Sequence, residues 1–353
     1  MICPHCERSL LRRERTGNRC SHCHRSYALD PKTNPLGLND LRVRRITTAL
    51  TDEGRVRITP DQLWYALSRK RLRDDAFAPG CVGPAVGVAV IAVIAAAVSE
   101  VPQVLFLTAA MLLVALGIAA ARAAGVGKGI PTVTREAFPG QVLAEWRKVY
   151  GALPAGVLDA EDAEDAARAG AAEPGAVFGV LVCPDPAVLD FLVADGLPAR
   201  YGLVPTRSPE EARAVPSTGP VLVLRDIDAY GELLVLRIRD ALPGRTVVDA
   251  APPLRTVRAL PQAVPYREPG RRPGAQDMRL LAGLGTFTPE ELKWLAKGWR
   301  FPLVGLPPAR LLTVVERIAG QLTHGLDADR RRAADLGFLT WPGTAAPDLA
   351  GDR

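Results

Sequence analysis

Four cysteines near the amino terminus have the spacing of a metal site. Cys3 and Cys6 form one Cys-x2-Cys pair and Cys20 and Cys23 a second, with 13 residues between the pairs. Two cysteines three apart place both sulfurs on one tight turn, and two such turns close a tetrahedral thiolate shell around zinc. Disulfides are the alternative, and a reducing cytoplasm disfavours them. The spacing therefore predicts a zinc site formed by these four residues.

Three histidines lie within or next to the pairs and are the alternative ligands, each in place of one sulfur: His5, His22 and His24. A shell of four thiolates leaves no coordination position for water, so the expected zinc is structural. Its role is to fold a segment too short to build its own hydrophobic core.

About the first 30 residues resemble a zinc ribbon. Pro4 fits the usual knuckle of that family, whereas Glu7 and His24 stand where the knuckle commonly has glycine. Zinc ribbons bind nucleic acid or protein, so the resemblance implies a protein or nucleic-acid partner. Solubility is the alternative role for the arginines around the motif, which are Arg8, Arg12, Arg13, Arg15, Arg19 and Arg25.

Aspartates that follow apolar strand patterns form a second candidate site. From residue 177 onward strand patterns alternate with helical ones, which predicts an α/β domain with a mostly parallel sheet. Asp185 follows the first of these strands, and Asp226 and Asp228 follow the strand at 221–224. Sites in such sheets lie at the carboxyl ends of strands, and magnesium prefers carboxylate and water ligands. The three aspartates are therefore candidate magnesium ligands and candidate catalytic residues.

Residues 177–250 resemble a Toprim domain, the magnesium-binding fold of topoisomerases, primases and related nucleases. In that family one strand ends in a catalytic Glu, and a later strand ends in Asp-x-Asp, commonly followed by Gly. Asp226, Asp228 and Gly231 match the second element. Cys-Pro-Asp at 183–185 stands in place of the Glu, so the resemblance implies a degenerate Toprim-like scaffold. A magnesium-dependent nuclease or phosphoryl-transfer enzyme is the alternative.

The same aspartates also have a purely structural interpretation. Asp228 is placed to cap the helix that follows, through an amide near Gly231, and Asp226 then merely ends a strand in solvent. No general base is identifiable near them. The sequence therefore favours a binding or scaffold role over catalysis, and it identifies no small-molecule substrate.

Residues 36–75 predict a helix, a short strand and a second helix, which together make a winged-helix-like segment. Thr59, Pro60 and Gln62 have the residue types that begin the second helix with a capping box. The stretch 59–67 loosely resembles the tyrosine-bearing helix of topoisomerase VI A subunits, which implies Tyr65 as a nucleophile. A core position is the alternative for this aromatic residue.

Two apolar runs, 80–98 and 101–121, contain no Asp, Glu, Lys or Arg. Roughly 20 apolar residues match the thickness of a bilayer core, so the sequence predicts a two-helix transmembrane hairpin over 80–121. Basic residues on both sides predict cytoplasmic flanks, and anionic lipid head groups explain those at 69–73. The composition is typical of a bacterium, which places the chain at the bacterial cytoplasmic membrane. A buried hairpin in a soluble domain is the alternative.

With 353 residues and 48% hydrophobic content, the chain has material for several compact units. The glycine-rich stretch 125–129 is not a phosphate-binding P-loop, because Gly129 replaces the Ser or Thr that would hold magnesium. We expect a multidomain chain with a zinc ribbon at 1–30, the helix-strand-helix segment at 36–75, the hairpin at 80–121, a linker with helices at 122–175, the α/β Toprim-like domain with carboxyl-terminal helices at 176–342, and a disordered tail at 343–353. A membrane-anchored scaffold, a magnesium enzyme and a membrane-tethered nucleic-acid binder are the three functional hypotheses.

Overall fold

The computed structural model describes residues 1–74, 113, 116–117, 129–169, 177–260, 263–268 and 270–326. The chain divides into two compact units, each built from separated stretches. The first unit comprises Met1–Asp159, Asp226–Leu234 and Pro252–Pro307. The second comprises Ala160–Arg225, Val235–Ala251 and Pro308–Arg353. The domain boundaries expected from the sequence stay predictions.

Helices and strands are numbered in chain order over the described residues. The helices are α1 Asp40–Leu50, α2 Pro60–Asp74, α3 Ala144–Tyr150, α4 Ala160–Ala169, α5 Pro186–Ala194, α6 Leu197–Arg200, α7 Pro209–Ala214, α8 Ala229–Ala241, α9 Leu254–Arg258, α10 Ala275–Gly283, α11 Pro289–Ala296 and α12 Pro308–Leu326. The strands are β1 Gly179–Val182, β2 Leu203–Thr206, β3 Val221–Val223, β4 Val247–Asp249, β5 Tyr266–Arg267 and β6 Trp299–Arg300. Short 3-10 turns occur at Arg12–Glu14, Thr16–Asn18 and Leu303–Gly305, and a π turn at Pro139–Leu143.

Local capping chemistry begins the helices of the first unit. The Asn39 side chain accepts from the Arg42 amide and begins α1. Gln62 accepts from the Thr59 amide at 2.9 Å and begins α2, as the sequence predicts. The strand expected near Ile58 is reduced to a single parallel bridge with Val157.

Two aromatic residues of α2 connect distant parts of the first unit. Trp64 is fully buried, and its indole nitrogen donates to the Val133 carbonyl at 2.8 Å. Tyr65 is 3% exposed, and its hydroxyl donates to the Val264 carbonyl at 2.7 Å. Trp64 also meets Tyr266 edge to face, with ring centroids 5.6 Å apart. The core of this unit thus forms between segments far apart in sequence.

Strands β5 and β6 form a two-stranded antiparallel sheet in the first unit, with Tyr266 opposite Arg300 and Arg267 opposite Trp299. Each pair places an arginine over an aromatic ring. Arg300 lies 5.4 Å from the centroid of Tyr266, and Arg267 lies 4.8 Å from that of Trp299. Because strand residues alternate between faces, the two pairs lie on opposite faces of the sheet.

The second unit contains a four-stranded parallel sheet with strand order β2-β1-β3-β4. All residues of β1 and β3 are buried, as expected for central strands covered on both faces. The Asp185 side chain caps α5 and the Ser208 side chain caps α7. The prediction of a mostly parallel sheet is confirmed for these strands.

The predicted transmembrane hairpin at 80–121 is corrected by the structure. In the part of the chain that it describes, no helix is both long enough and apolar enough to cross a bilayer. Helix α12, with 19 residues, carries three charged side chains, Arg310, Glu316 and Arg317. Residues 80–121 lie outside the described part, apart from 113 and 116–117. The predicted location at a bacterial cytoplasmic membrane depended on this hairpin and is corrected with it.

Candidate metal centre and carboxylate cluster

The first cysteine pair lies on a tight turn closed by backbone hydrogen bonds. The Cys3 amide donates to the Arg8 carbonyl at 2.9 Å, and the Glu7 amide donates to the Cys3 carbonyl at 3.1 Å. Glu7 has a φ of 58°, in the left-handed region that favours glycine. The knuckle therefore keeps its shape although glutamate replaces the usual glycine.

The second cysteine pair repeats this turn. The Cys20 amide donates to the Arg25 carbonyl at 3.1 Å, and the His24 amide donates to the Cys20 carbonyl at 3.0 Å. His24 has a φ of 56°, which matches that of Glu7. In each knuckle an amide two residues further on also points at the first sulfur, from His5 at 3.5 Å and from His22 at 3.4 Å.

The four sulfurs converge in the geometry that a zinc ion requires. All lie within 4.8 Å of one another, and the Cys3–Cys23 and Cys6–Cys20 sulfur pairs are each 3.8 Å apart. A tetrahedron with Zn–S bonds of about 2.3 Å has S···S edges of about 3.8 Å. The donor set and its size therefore fit one zinc ion.

The histidines do not join this group in the described part of the chain. His5 turns its Nε2 to the Ser26 carbonyl at 2.8 Å, and His22 has its Nδ1 3.5 Å from an Arg8 nitrogen. His24 is exposed. The cluster is thus an all-cysteine set.

Burial and hydrogen bonds separate the pKa values of Cys6 and Cys20. A backbone hydrogen bond from Arg8 lowers the pKa of Cys6, but burial and the other three thiols raise it to about 11. Burial raises the pKa of Cys20, whereas hydrogen bonds from the backbone of Cys23 and His22 lower it to about 7. The Cys20 thiol therefore loses its proton at a lower pH than the Cys6 thiol, and thiolate is the form that binds metal.

A buried ion pair joins two parts of the cysteine module, which comprises residues 1–30. Arg15 lies 2.9 Å from Asp30, and both side chains are less than a tenth exposed. The Tyr27 hydroxyl donates to the Arg15 carbonyl at 3.0 Å. Arg15 therefore has a structural role, whereas the other five arginines that the sequence places around the motif are exposed.

The amino-terminal region exposes a large excess of positive charge. Residues 1–74 contain sixteen Lys and Arg and eight Asp and Glu, a formal charge of +8, whereas the whole chain carries +6. Only two acidic side chains among residues 1–73 are exposed, Glu7 and Glu53. Fourteen basic side chains there are exposed: Arg8, Arg12, Arg13, Arg19, Arg25, Lys32, Arg44, Arg45, Arg55, Arg57, Arg69, Lys70, Arg71 and Arg73.

The structure places the three predicted carboxylates in different units. Asp185 belongs to the second unit, where its side chain accepts from the Ala187 amide at 3.0 Å. Asp226 and Asp228 belong to the first unit. Asp228 accepts from the Gly231 amide at 2.7 Å, so it caps α8 as in the structural interpretation of the sequence. That the three aspartates bind magnesium stays a prediction.

Two residues that the sequence analysis did not single out, Arg300 and Glu268, complete the cluster in the first unit. Arg300 is 4% exposed and forms ion pairs with Asp226, Asp228 and Glu268. Burial lowers the pKa of the guanidinium, but the carboxylates, Asp226 foremost, raise it above its ordinary value. Arg300 is therefore a permanent cation among the predicted magnesium ligands.

Tyr65, the residue with a resemblance to a nucleophile, lies in the core of the first unit. Its hydroxyl donates to the Val264 carbonyl and accepts from the Val264 amide at 3.2 Å. Burial raises its pKa to about 12, although the Val264 hydrogen bond and Arg69 act in the opposite direction. A buried phenol that holds its proton this firmly is suited to packing.

Comparison of the chain with protein-family models, curated proteins and solved structures found no match. The cysteine cluster is consistent with a zinc ribbon by its own geometry. The class that the described residues define is therefore a mixed helix and sheet protein with an amino-terminal site suited to zinc.

Proposed function

We propose that this chain is a zinc-stabilised binding protein whose amino-terminal module contacts nucleic acid and whose carboxylate cluster is not catalytic. The four-sulfur cluster carries the proposal, because a closed thiolate shell supplies folding energy and offers no position for a substrate. The surface of such a module is then the part that contacts a partner.

The charge on that surface supports a polyanionic partner. Residues 1–74 hold an excess of eight positive charges in about a fifth of the chain. Asp30 and Asp40 are buried, so neither presents its carboxylate to a partner at the surface. Nucleic-acid backbones attract such surfaces and release bound counterions on contact.

In this proposal residues 177–250, which resemble a Toprim domain, serve as a scaffold and not as an active site. A magnesium enzyme needs carboxylates free to hold the ion against a phosphate. Here Asp226 and Asp228 already face the Arg300 guanidinium. The proposed role of residues 177–250 is therefore to bind or position a partner.

The zinc part is tested on the purified full chain by metal analysis and thermal unfolding. We expect one zinc per chain, and we expect Cys20→Ser to lose the metal and lower the unfolding temperature by several degrees. Cys183→Ser is the matched control, because Cys183 is also fully buried but lies outside the cluster. A chain that folds normally without zinc contradicts this part of the proposal.

The nucleic-acid part is tested by titrating labelled single-stranded and duplex DNA at several salt concentrations. Replacing Arg8, Arg12 and Arg13 by Gln is expected to weaken binding about tenfold or more and to reduce the salt slope by about 2 to 3.

The control removes the same charge elsewhere, with Arg255, Arg258 and Arg279 replaced by Gln, and leaves DNA binding unchanged. All six arginines are exposed. Vesicles of phosphatidylglycerol and phosphatidylethanolamine form a second arm. Binding to these vesicles without binding to DNA overturns the nucleic-acid assignment, and so does binding to neither.

A further inference from the structure

The first unit contains a cavity of about 580 Å³. Its aromatic lining comes from Trp64 of α2 and Tyr266 of β5. The charged residues that line it are Arg135, Glu136, Glu268 and Arg271. Pockets of roughly 300 to 1,000 Å³ with an aromatic lining and a few polar groups bind small organic molecules. The cavity is therefore large enough for an amino acid or a dipeptide.

Contacts among the lining residues hold the cavity in shape. The Trp64 indole donates to the Val133 carbonyl at 2.8 Å, which fixes the segment that contributes Arg135. Arg135 in turn donates to the Asp61 carboxylate at 2.6 Å. Trp64 and Tyr266 meet edge to face, with ring centroids 5.6 Å apart. The cavity is thus formed before any ligand binds.

A buried hydroxyl at the cavity lacks a hydrogen bond. Tyr266 is 1% exposed, and its hydroxyl has no hydrogen-bond partner among the described residues. Burial raises the pKa of this hydroxyl, although Arg300 acts in the opposite direction, so it keeps its proton at neutral pH. A buried polar group without a hydrogen bond is unfavourable. A polar atom of a molecule bound in the cavity is placed to supply the missing bond.

The charges around the cavity match a molecule that carries both signs. Arg135 pairs with Asp61, and Glu268 accepts from the buried Arg300 at 2.5 Å. Arg271 and Glu136 are the two charged lining residues that are exposed. A guanidinium binds a carboxylate through its planar N–H groups, and a carboxylate binds an ammonium group. A phosphate is disfavoured, because two carboxylates line the same cavity.

We propose that this cavity binds a zwitterionic amino compound with a phenol side chain, either free tyrosine or a short peptide that contains it. The Tyr266 hydroxyl forms a hydrogen bond with the phenol, Arg271 binds the carboxylate and Glu136 binds the ammonium group. A phenyl side chain leaves the Tyr266 hydroxyl unpaired, so the site discriminates between phenol and phenyl. The ligand differs from zinc and from nucleic acid, and the inference does not rest on the proposed function.

The first test is calorimetric titration of the zinc-loaded full chain with tyrosine, phenylalanine, glycyl-tyrosine and glycyl-phenylalanine. We expect the phenol compound of each pair to bind about three- to tenfold more tightly than its phenyl analogue. The tighter of tyrosine and glycyl-tyrosine identifies the source as the free amino acid or a peptide. Failure of both to bind overturns the proposal.

Tyr266→Phe removes only the unpaired hydroxyl. It is expected to abolish the preference for phenol over phenyl and to leave the unfolding temperature of the unliganded chain undiminished, because no hydrogen bond is lost. Tyr150→Phe is the matched control in the same unit, since its hydroxyl donates to Asp40. That variant is expected to unfold at a lower temperature and to keep the preference. A preference that survives Tyr266→Phe contradicts the assignment.

Two exposed residues keep the test independent of folding. Arg271→Gln is expected to weaken tyrosine binding about fivefold and to leave binding of tyramine, which has no carboxylate, unchanged. Glu136→Gln is expected to weaken tyrosine binding similarly and to leave binding of desaminotyrosine, which has no ammonium group, unchanged. Arg255→Gln is the control, because Arg255 is exposed and does not line the cavity. Equal losses for tyrosine and for the ligand that lacks the charged group overturn the proposal.

Discussion

Asp40 is the residue that ties the cysteine module to the helices of the first unit. It is fully buried and accepts from the Ala28 amide at 2.9 Å, from the Leu29 amide at 2.8 Å and from the Tyr150 hydroxyl. Three donors converge on one carboxylate, which is the arrangement that compensates a buried negative charge. The end of the cysteine module, α1 and α3 therefore share one anchor.

Asp40→Asn is expected to lower the free energy of unfolding by roughly 2 to 3 kcal/mol. The side-chain NH2 group of asparagine cannot accept the hydrogen bonds that one carboxylate oxygen of Asp40 accepts. Urea unfolding followed by tryptophan fluorescence measures the loss. Tyr150→Phe removes one donor and is expected to cost about 1 kcal/mol. Equal costs for the two variants contradict the assignment of Asp40 as the shared anchor.

Residue spacing predicts the cysteine cluster because each knuckle needs only its own few residues. The same reasoning does not predict the partner of Asp226, because Arg300 lies 74 positions further along the chain. No local pattern marks an arginine that a tertiary fold brings to a distant aspartate. The histidine alternatives also remain open in the sequence, since spacing alone does not show which way His5 turns.

At the scale of elements, a glycine contact joins the end of α1 to the segment after α3. Gly156 has a φ of 83°, and a Cβ there would lie 2.7 Å from the Thr51 methyl carbon. The Gly156 carbonyl also accepts from the Ile58 amide at 2.9 Å. The close approach and the left-handed backbone both require glycine at this position.

Gly156→Ala is therefore expected to destabilise the first unit by about 2 kcal/mol or more, from backbone strain together with crowding. Gly151→Ala is the matched control, because Gly151 has a φ of 78° and open space around its Cβ position. It is expected to cost about 1 kcal/mol from strain alone. The urea unfolding midpoints of the two variants measure these losses of stability. A smaller loss for Gly156→Ala than for Gly151→Ala would contradict the crowding argument.

Elements with strong end signals are predictable from the sequence, whereas elements that depend on tertiary partners are not. Asp185 with Pro186, and Ser208 with Pro209, set the starts of α5 and α7 through their own side chains and proline rings. Strands β5 and β6 contain two residues each and exist only by pairing with one another. The hairpin over 80–121 was inferred from apolar composition, which does not determine how a segment is used.

At the scale of the whole molecule, burial of a tyrosine makes the free energy of unfolding fall at alkaline pH. The pKa of Tyr65 rises from 10.0 to about 12, chiefly because of burial. The folded chain then holds this proton more tightly than the unfolded chain does. The contribution is complete below about pH 10 and is lost as the pH rises to about 12.

The natural chain is accordingly expected to lose about 2 to 3 kcal/mol between pH 10 and pH 12 through this residue. Tyr65→Phe starts from lower stability, since both hydrogen bonds to Val264 are lost, but its unfolding midpoint falls less over this range. Denaturant unfolding at a series of pH values measures both slopes, with Tyr201→Phe as the control. Parallel slopes for the natural chain and Tyr65→Phe would show that Tyr65 does not titrate with unfolding.

The division of the first unit into three separated stretches sets an order of events during synthesis. Residues 1–30 can take up zinc soon after they leave the ribosome, since all four cysteines precede residue 24. Arg300 is made 277 positions after Cys23, which is roughly 14 to 55 s later at about 5 to 20 residues per second. Tyr65 lacks its partner until Val264 is made, and the Asp226–Asp228 pair lacks its partner until Arg300 is made. The nascent chain is therefore most exposed to chaperones and proteases after its metal site is complete and before its last buried cation has been added.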